Sequence, residues 1–184
     1  MDDVQAIHRL KHADIGGLDI LVTRYQVKAV RTAFLITHDE PMAEDVVQDT
    51  FIHIYQRIRQ FDENRSFEPY FMRCVVNAAL NAIRKKAEQT HSDSNTNMDE
   101  LEALLAQAAS VEEQVEFSEL KGEILAALDR LSARQRAAVV QRYYLGMSEK
   151  EMADALEAAP GTVKWLLNTA RTRLRGILHE RSTK

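Results

Sequence analysis

Residues 148–178 read SEKEMADALEAAPGTVKWLLNTARTRLRGIL. The opening Ser148-Glu149-Lys150-Glu151 has the form of a capping box, in which Ser148 accepts from a backbone amide and Glu151 reaches back to the cap. The short helix it starts runs through Met152, Ala153 and Leu156 and stops near Glu157-Ala158-Ala159. Pro160-Gly161-Thr162 then opens another helix, proline being well suited to a first turn. Upstream, Ser132 to Leu145 reads as a helix closed by Gly146, a residue typical of the position just past a helix end. Two helices joined by a tight turn, the second rich in basic residues, form a helix-turn-helix pattern.

The second of these helices divides into two faces. Val163, Leu166, Leu167, Ala170, Leu174, Ile177 and Leu178 fall within an arc of about 120° when each residue advances about 100°. Lys164, Trp165, Asn168, Arg171, Thr172 and Arg175 lie outside it, with Trp165 roughly opposite the apolar arc. From Ala158 onward there are six Lys or Arg against one Glu. A basic outward face suits docking in a DNA major groove. A basic, solvated helix in an ordinary bundle is the plainer alternative; the agreement of cap, turn and charge disfavours it.

Working back along the chain, Ala43 to Arg59 is an amphipathic helix. Val46, Val47, Phe51, Ile54, Tyr55 and Ile58 recur at helical spacing and are expected to face a core. Asp45, Gln48, Asp49, Ile52 and Gln56 form the opposite face, where Ile52 is an apolar residue among polar ones. A second helix is expected from Pro69 to about Lys86, with Phe71, Met72, Val75, Val76, Ala79, Leu80 and Ile83 inward. Its other side carries Tyr70, Arg73, Cys74, Asn77, Asn81 and Arg84. An aromatic ring, amides and guanidinium groups in one stripe suit bases and phosphates, although a solvated helix face has the same composition.

Charge distribution separates these parts. The 184-residue chain carries a formal net charge of −4, which on its own argues against a nucleic-acid partner. Residues 1–87 hold 12 acidic and 12 basic side chains, residues 88–116 hold 8 acidic and no basic ones, and residues 117–184 hold 8 acidic and 12 basic. An acidic strap therefore separates a neutral module from a basic one. Its first part, Glu88 to Asp99, is polar and rich in turn formers, as a flexible linker is; Leu101–Ala109 has the length of a short helix. The expected fold is all-α: two small helical domains, 1–87 and 117–184, joined by the acidic linker 88–116, with the helix-turn-helix in the second.

Other classes are disfavoured. Cys74 is the only cysteine, so no intrachain disulfide or cysteine cluster is available. No apolar run approaches the roughly 20 residues that span a bilayer, and the acidic Met1-Asp2-Asp3 start lacks the pattern of a signal peptide. These features predict a cytoplasmic protein. His8 and His12 share a helix face, but His-Glu-x-x-His is absent and no third ligand has helpful spacing. No metal, cofactor or catalytic residue is expected.

Against this background the chain resembles a known family. Ala43-Glu44-Asp45-Val46-Val47-Gln48-Asp49-Thr50-Phe51, with Phe61, Phe67 and the Tyr70–Lys86 helix, is similar to the first conserved domain of bacterial RNA polymerase sigma factors. Leu131-Ser132 through Arg142, Leu145-Gly146-Met147-Ser148-Glu149-Lys150-Glu151-Met152-Ala153 and Gly161-Thr162-Val163-Lys164 resemble their C-terminal promoter-binding domain. The order is that of the two-domain, extracytoplasmic-function (ECF) group, and the resemblance covers most of residues 18–87 and 117–180.

What the resemblance implies is specific. Asp45, Gln48, Asp49 and Ile52 would bind core RNA polymerase, which accounts for the outward isoleucine. Tyr70, Asn77, Asn81, Arg84 and Lys85 would bind the −10 promoter element. Thr162, Lys164, Trp165, Asn168, Thr169 and Arg171 would meet the −35 element. An anti-sigma factor is a further partner that the group admits, and the free chain would be a monomer. The chain departs from the family at Tyr70, where tryptophan is usual, and at Trp165, Leu166 and Thr169, where small or basic residues are frequent; the −35 preference is therefore not carried over. A helix-turn-helix regulator without polymerase binding explains residues 118–184 equally well, but leaves the Ala43–Lys86 pattern as mere core and surface.

Overall fold

The structure, a computed structural model, describes residues 2–89 and 122–182, with the side chains of the last helix as far as Ile177. The linker expected over 88–116 and the short helix at Leu101–Ala109 lie outside the described residues, except that Glu88 and Gln89 prolong the helix before them. Among the described residues every regular element is helical.

Helix α1 (Asp3–Lys11) begins at Asp2, whose carboxylate accepts from the Gln5 amide while the Gln5 side chain accepts from the Asp2 amide. Helix α2 (Gly16–Thr37) packs against α1 and both following helices. Leu21, Tyr25, Ala29, Ala33 and Ile36, spaced by three or four residues, form its buried stripe. The helix ends at His38, whose backbone is left-handed with φ 54°.

Helix α3 (Glu40–Arg57) starts earlier than its apolar pattern suggests because Asp39 caps it, accepting from the Met42 amide at 3.0 Å. The other Asp39 oxygen accepts from Lys86 at 2.7 Å and ties the start of α3 to the far end of helix α4 (Phe67–Gln89). Burial pushes the Asp39 carboxyl up, but Lys86 and the Met42 amide outweigh it and leave the group below its ordinary range. Val46, Val47, Phe51, Ile54 and Ile58 are buried as expected, the last in a short 3-10 turn, Ile58–Gln60. Tyr55 departs from expectation and is 37% exposed. It stands about 100° around the helix from Ile54, and Ala43 and Thr50 complete the inner face instead.

Helix α4 begins two residues before Pro69 because Phe67 is drawn into an aromatic cluster. Pro69 is tolerated in the first turn, where amides have no partner within the helix. Phe67 lies 5.6 Å from both Tyr25 and Phe71, and Phe51 lies 4.5 Å from Phe71. Met72, Val75, Val76 and Ala79 continue the buried face, while Leu80 and Ile83 are half-buried.

The C-terminal part comprises α5 (residues 122–129), α6 (Ala133–Val139), α7 (Glu149–Ala155) and α8 (Pro160–Ser182). The single helix expected over Ser132–Leu145 widens in its last turn: Val140–Tyr144 is π-helical, and the Leu145 amide donates to the Val140 carbonyl at 3.0 Å. Gly146 follows at φ 68°, and the Met147 amide closes the end on the Gln141 carbonyl. The capping box at Ser148 is present, Glu151 receiving the Ser148 amide at 2.8 Å. Ser132 and Gln135 form another.

The two halves share one apolar core. Helix α6 and its π turn pack on α2, while α6 and α7 pack on α4. Ala137, Ala138, Val140, Met147, Met152 and Val163 belong to the same buried cluster as the inner faces of α2 and α4.

Candidate nucleic-acid interface

The fold presents three polar surfaces. On α3, Asp45, Gln48, Asp49 and Ile52 are all exposed on one face, with Ile52 53% accessible. Burial of Ala43, Val46, Val47, Thr50 and Ile54 on the opposite side forces this presentation. An apolar side chain standing among carboxylates and an amide forms a contact patch with both directional and non-directional components.

The residues expected on α4 divide between two clefts. Asn77, Asn81 and Arg84 line a cavity of about 380 Å³ whose opposite wall is Ala133, Arg134, Leu156 and Glu157. Lys85 and Asn81 face a groove of about 590 Å³ between α3 and α4, shared with Asp45 and Asp49. Asn77 is half-buried, whereas Asn81, Arg84 and Lys85 are exposed. Tyr70 is only half-exposed: its ring lies 5.0 Å from Phe61, and the Arg73 guanidinium sits 5.7 Å from its centroid. Burial raises the Tyr70 hydroxyl pKa, and pairing with Cys74 adds to the shift. The ring is thus part of the aromatic packing between the 3-10 turn and α4, rather than an open stacking platform.

Helix α8 carries the third surface. Val163, Leu166, Leu167, Ala170 and Ile177 are buried and Leu174 is half-buried, as the arc predicts; the Leu178 side chain lies outside the described residues. Thr162, Lys164, Trp165, Asn168 and Arg171 are exposed, Trp165 to 61%. Lys164 pairs with Glu149 at 3.8 Å, the two heads reaching across the helix-turn-helix. Thr169 is turned inward: it is half-buried, donates to the Trp165 and Leu166 carbonyls, and accepts from Gln135 at 3.2 Å. Gln135 belongs to the cap of α6, so Thr169 holds the two helices together instead of joining the outer face.

Sequence reasoning did not find Tyr143. Arg171 donates from Nε to its hydroxyl at 2.8 Å and lies 5.8 Å from its ring centroid. The Tyr143-Tyr144 pair just before Gly146 was the available signal: two aromatic side chains at a helix end, both exposed.

Elsewhere, the His8 and His12 ring centroids lie 4.2 Å apart with their planes tilted by 30°, and His12 Nδ1 engages the His8 carbonyl. Among the described residues no group of three or more His, Cys, Asp or Glu is arranged to hold a metal ion, and no helix is long and apolar enough to cross a membrane. Burial pushes the Cys74 thiol up, away from a reactive thiolate.

Comparison with known proteins matches two stretches of the chain, one in each half. The profile of Sigma-70 region 2 covers residues 21–89, and that of Sigma-70, region 4 covers residues 121–174. The ECF RNA polymerase sigma factor SigW of Bacillus subtilis is 27% identical over 178 residues, spanning 95% of each chain. Among solved structures, CnrH in complex with the cytosolic domain of CnrY superposes with a TM-score of 0.68 at 22% identity, covering 97% of each chain. RpoE in complex with the anti-sigma factor NepR from Bartonella quintana gives a TM-score of 0.64 at 21% identity over 88% of this chain and 96% of that one. The chain belongs to the sigma-70 family of RNA polymerase sigma factors, in its ECF group, and directs promoter recognition at transcription initiation.

Proposed function

We propose that each exposed surface has its own task in promoter recognition. The α3 face, Asp45, Gln48, Asp49 and Ile52, docks on core RNA polymerase. The α4 stripe, Asn77, Asn81, Arg84 and Lys85, engages the −10 element, with amides to read unpaired base edges and cations to hold phosphates. Tyr70 supports that stripe from below. Helix α8 lies in the major groove at the −35 element, reading it with Thr162, Lys164, Trp165, Asn168 and Arg171. Residues 1–87 and 117–184 are the two functional domains of this reading. It requires no covalent chemistry, since opening a promoter draws on binding energy alone, and it belongs in the cytoplasm. An inhibitor of the anti-sigma class, such as NepR is for RpoE, is a further partner.

The observation that carries this reading is the outward isoleucine among Asp45, Gln48 and Asp49. A DNA-binding regulator has no use for that surface, whereas a polymerase subunit must have one. Co-purification with bacterial core RNA polymerase, followed by run-off transcription from a promoter library, is the direct test. Stable binding with new promoter-specific transcripts is expected. Gln48→Ala with Asp49→Ala should weaken polymerase binding at least tenfold while leaving the helical circular dichroism unchanged, both side chains being exposed. Failure of the unmodified chain to bind polymerase would leave a helix-turn-helix regulator as the reading.

A further inference from the structure

Two cations on the outer side of α8 are held in different ways. Lys164 faces the Glu149 carboxylate at 3.8 Å, which offsets part of its charge. Arg171 has no carboxylate partner among the described residues. Its Nε–H donates to the Tyr143 hydroxyl at 2.8 Å, and its Cζ stands 5.8 Å from the centre of the Tyr143 ring. A carboxylate would orient the guanidinium and cancel its charge together. A phenol orients it and leaves the charge whole, because a hydroxyl oxygen is a neutral acceptor.

The planar fork of an arginine carries donors along two edges. With Nε–H engaged by Tyr143, the Nη hydrogens remain, and among the described residues none of them has an acceptor. That free edge matches two oxygens of a phosphate or the two acceptors of a guanine.

Position on the helix chooses between them. At about 100° per residue, Arg171 stands about 120° around α8 from Trp165 and only about 40° from the buried Leu167. It therefore borders the outer face instead of crowning it. It also comes eleven residues after Pro160, the first residue of α8. In helix-turn-helix docking the N-terminal residues of the second helix meet base edges. A cation farther along, on the flank, meets the sugar-phosphate backbone at the rim of the groove.

The tyrosine is itself well fixed. The π turn Val140–Tyr144 carries it alongside α8, and widened turns of this kind recur at functional sites. Gln135 donates to Thr169 at 3.2 Å and fastens α6 to α8, so the hydroxyl that aims Arg171 belongs to a tethered neighbour. Holding a long side chain in one rotamer before DNA arrives removes part of the ordering cost of binding.

We propose that Tyr143 is a positioning residue for DNA binding: it holds the Arg171 guanidinium, charge intact, so that Nη1 and Nη2 clamp one backbone phosphate beside the −35 element. Resting on the assignment of α8 to that element, this gives Arg171 a sequence-independent role. Base reading is left to side chains nearer the middle of the face, Trp165 and Asn168.

A cycle of full-length variants tests the pair: Tyr143→Phe, Arg171→Ala and both together. Each is assembled into holoenzyme, and binding to a promoter fragment transcribed by the unsubstituted holoenzyme is titrated over a salt series. Both side chains are exposed, so helical circular dichroism should not change. Arg171→Ala should weaken binding about tenfold and lower the slope of log affinity against log salt by about 1. Tyr143→Phe, which keeps the ring, should weaken it about threefold through loss of a hydrogen bond to a charged group. In the Arg171→Ala background Tyr143→Phe should have no further effect, a coupling that a merely structural tyrosine would not give. Base preference in a promoter library should be the same for all three.

Unchanged affinity in Tyr143→Phe, or an equal loss with and without Arg171, would overturn the positioning role. A preference relaxed at one promoter base in Arg171→Ala would overturn the phosphate contact in favour of a guanine. Because a phosphate contact needs no particular sequence, the same cycle is run with the free chain on random-sequence duplex at low salt, beside capture of core polymerase. Coupling without capture sinks the sigma-factor reading and upholds the clamp; capture without coupling sinks the clamp alone.

Discussion

Individual residues settle questions that composition leaves open. Gly17 is required by proximity: a Cβ there would stand 2.2 Å from the Ala6 carbonyl oxygen and 2.9 Å from Leu10 Cγ. The first contact is with helix backbone, so α1 would have to move. Gly17→Ala is expected to destabilise the fold by about 1–3 kcal/mol, as overpacking of a tight contact does. A lowered midpoint in urea with an unchanged slope is the measurement that checks it. Gly146 is required for a different reason, since φ 68° is a conformation that side chains resist. Ile52 and Thr169 show the limits of reading residues by type. Ile52 is exposed although apolar, whereas Thr169 is polar and within the stretch expected to read DNA, yet spends its hydroxyl on helix carbonyls and Gln135. The difference lies in a neighbouring helix that no local pattern reveals.

At the scale of elements, caps define helix starts and packing defines the rest. Ser132 and Ser148 both recruit the side chain three residues on, and the Ser148 contacts hold the Glu151 carboxyl below its ordinary range. This box fixes the start of α7 and, through the turn at Glu157 (φ 47°), the entry of α8. The outer face of α8 can then be tested as a unit. Lys164 is exposed and only loosely paired with Glu149, so Lys164→Ala should weaken promoter binding by the holoenzyme and reduce the slope of log affinity against log salt by about 1. Binding titrations between 50 and 300 mM salt would show it; an unaltered slope would remove Lys164 from the phosphate-contacting set. The π turn at Val140–Tyr144 is an element that periodicity did not reveal, because a single widened turn leaves the apolar spacing before it intact. Its effect is to carry Tyr143 to the side of Arg171.

For the whole molecule, the seam between the halves is the decisive feature, and it carries a pH dependence of its own. Burial lowers the His38 pKa, Arg136 lowers it further, and Asp129 only partly opposes them, leaving it below its ordinary 6.5. A base with a folded-state pKa below its unfolded value binds fewer protons folded than unfolded once the pH drops beneath 6.5. The full stability is therefore present above that pH and declines as the pH falls from 6.5 toward the folded-state value. Thermal unfolding followed by circular dichroism should accordingly give a midpoint that falls between pH 7 and pH 5.5. His38→Asn, which keeps a side chain tolerant of the left-handed backbone, should flatten that part of the curve. An equal slope in the variant would assign the pH dependence to other groups.

Local chemistry was enough to reveal α3, α4 and the helices of the helix-turn-helix, the cap at Ser148, the turn at Gly146, the outward face of α3 and the apolar arc of α8, because each depends on residues within one or two turns of one another; α1, α2 and the caps at Asp2, Asp39 and Ser132 came from the structure. The inward turn of Thr169, the packing of Tyr70 against Phe61, the Tyr143–Arg171 pair and the His38–Asp129–Arg136 cluster join residues 7 to 91 positions apart. Only tertiary packing decided them: which neighbour covers a side chain depends on how helices cross, and the spacing of residues along one helix does not specify that crossing. The sequence thus determined which surfaces this sigma factor possesses; the tertiary structure decided which of them stand open.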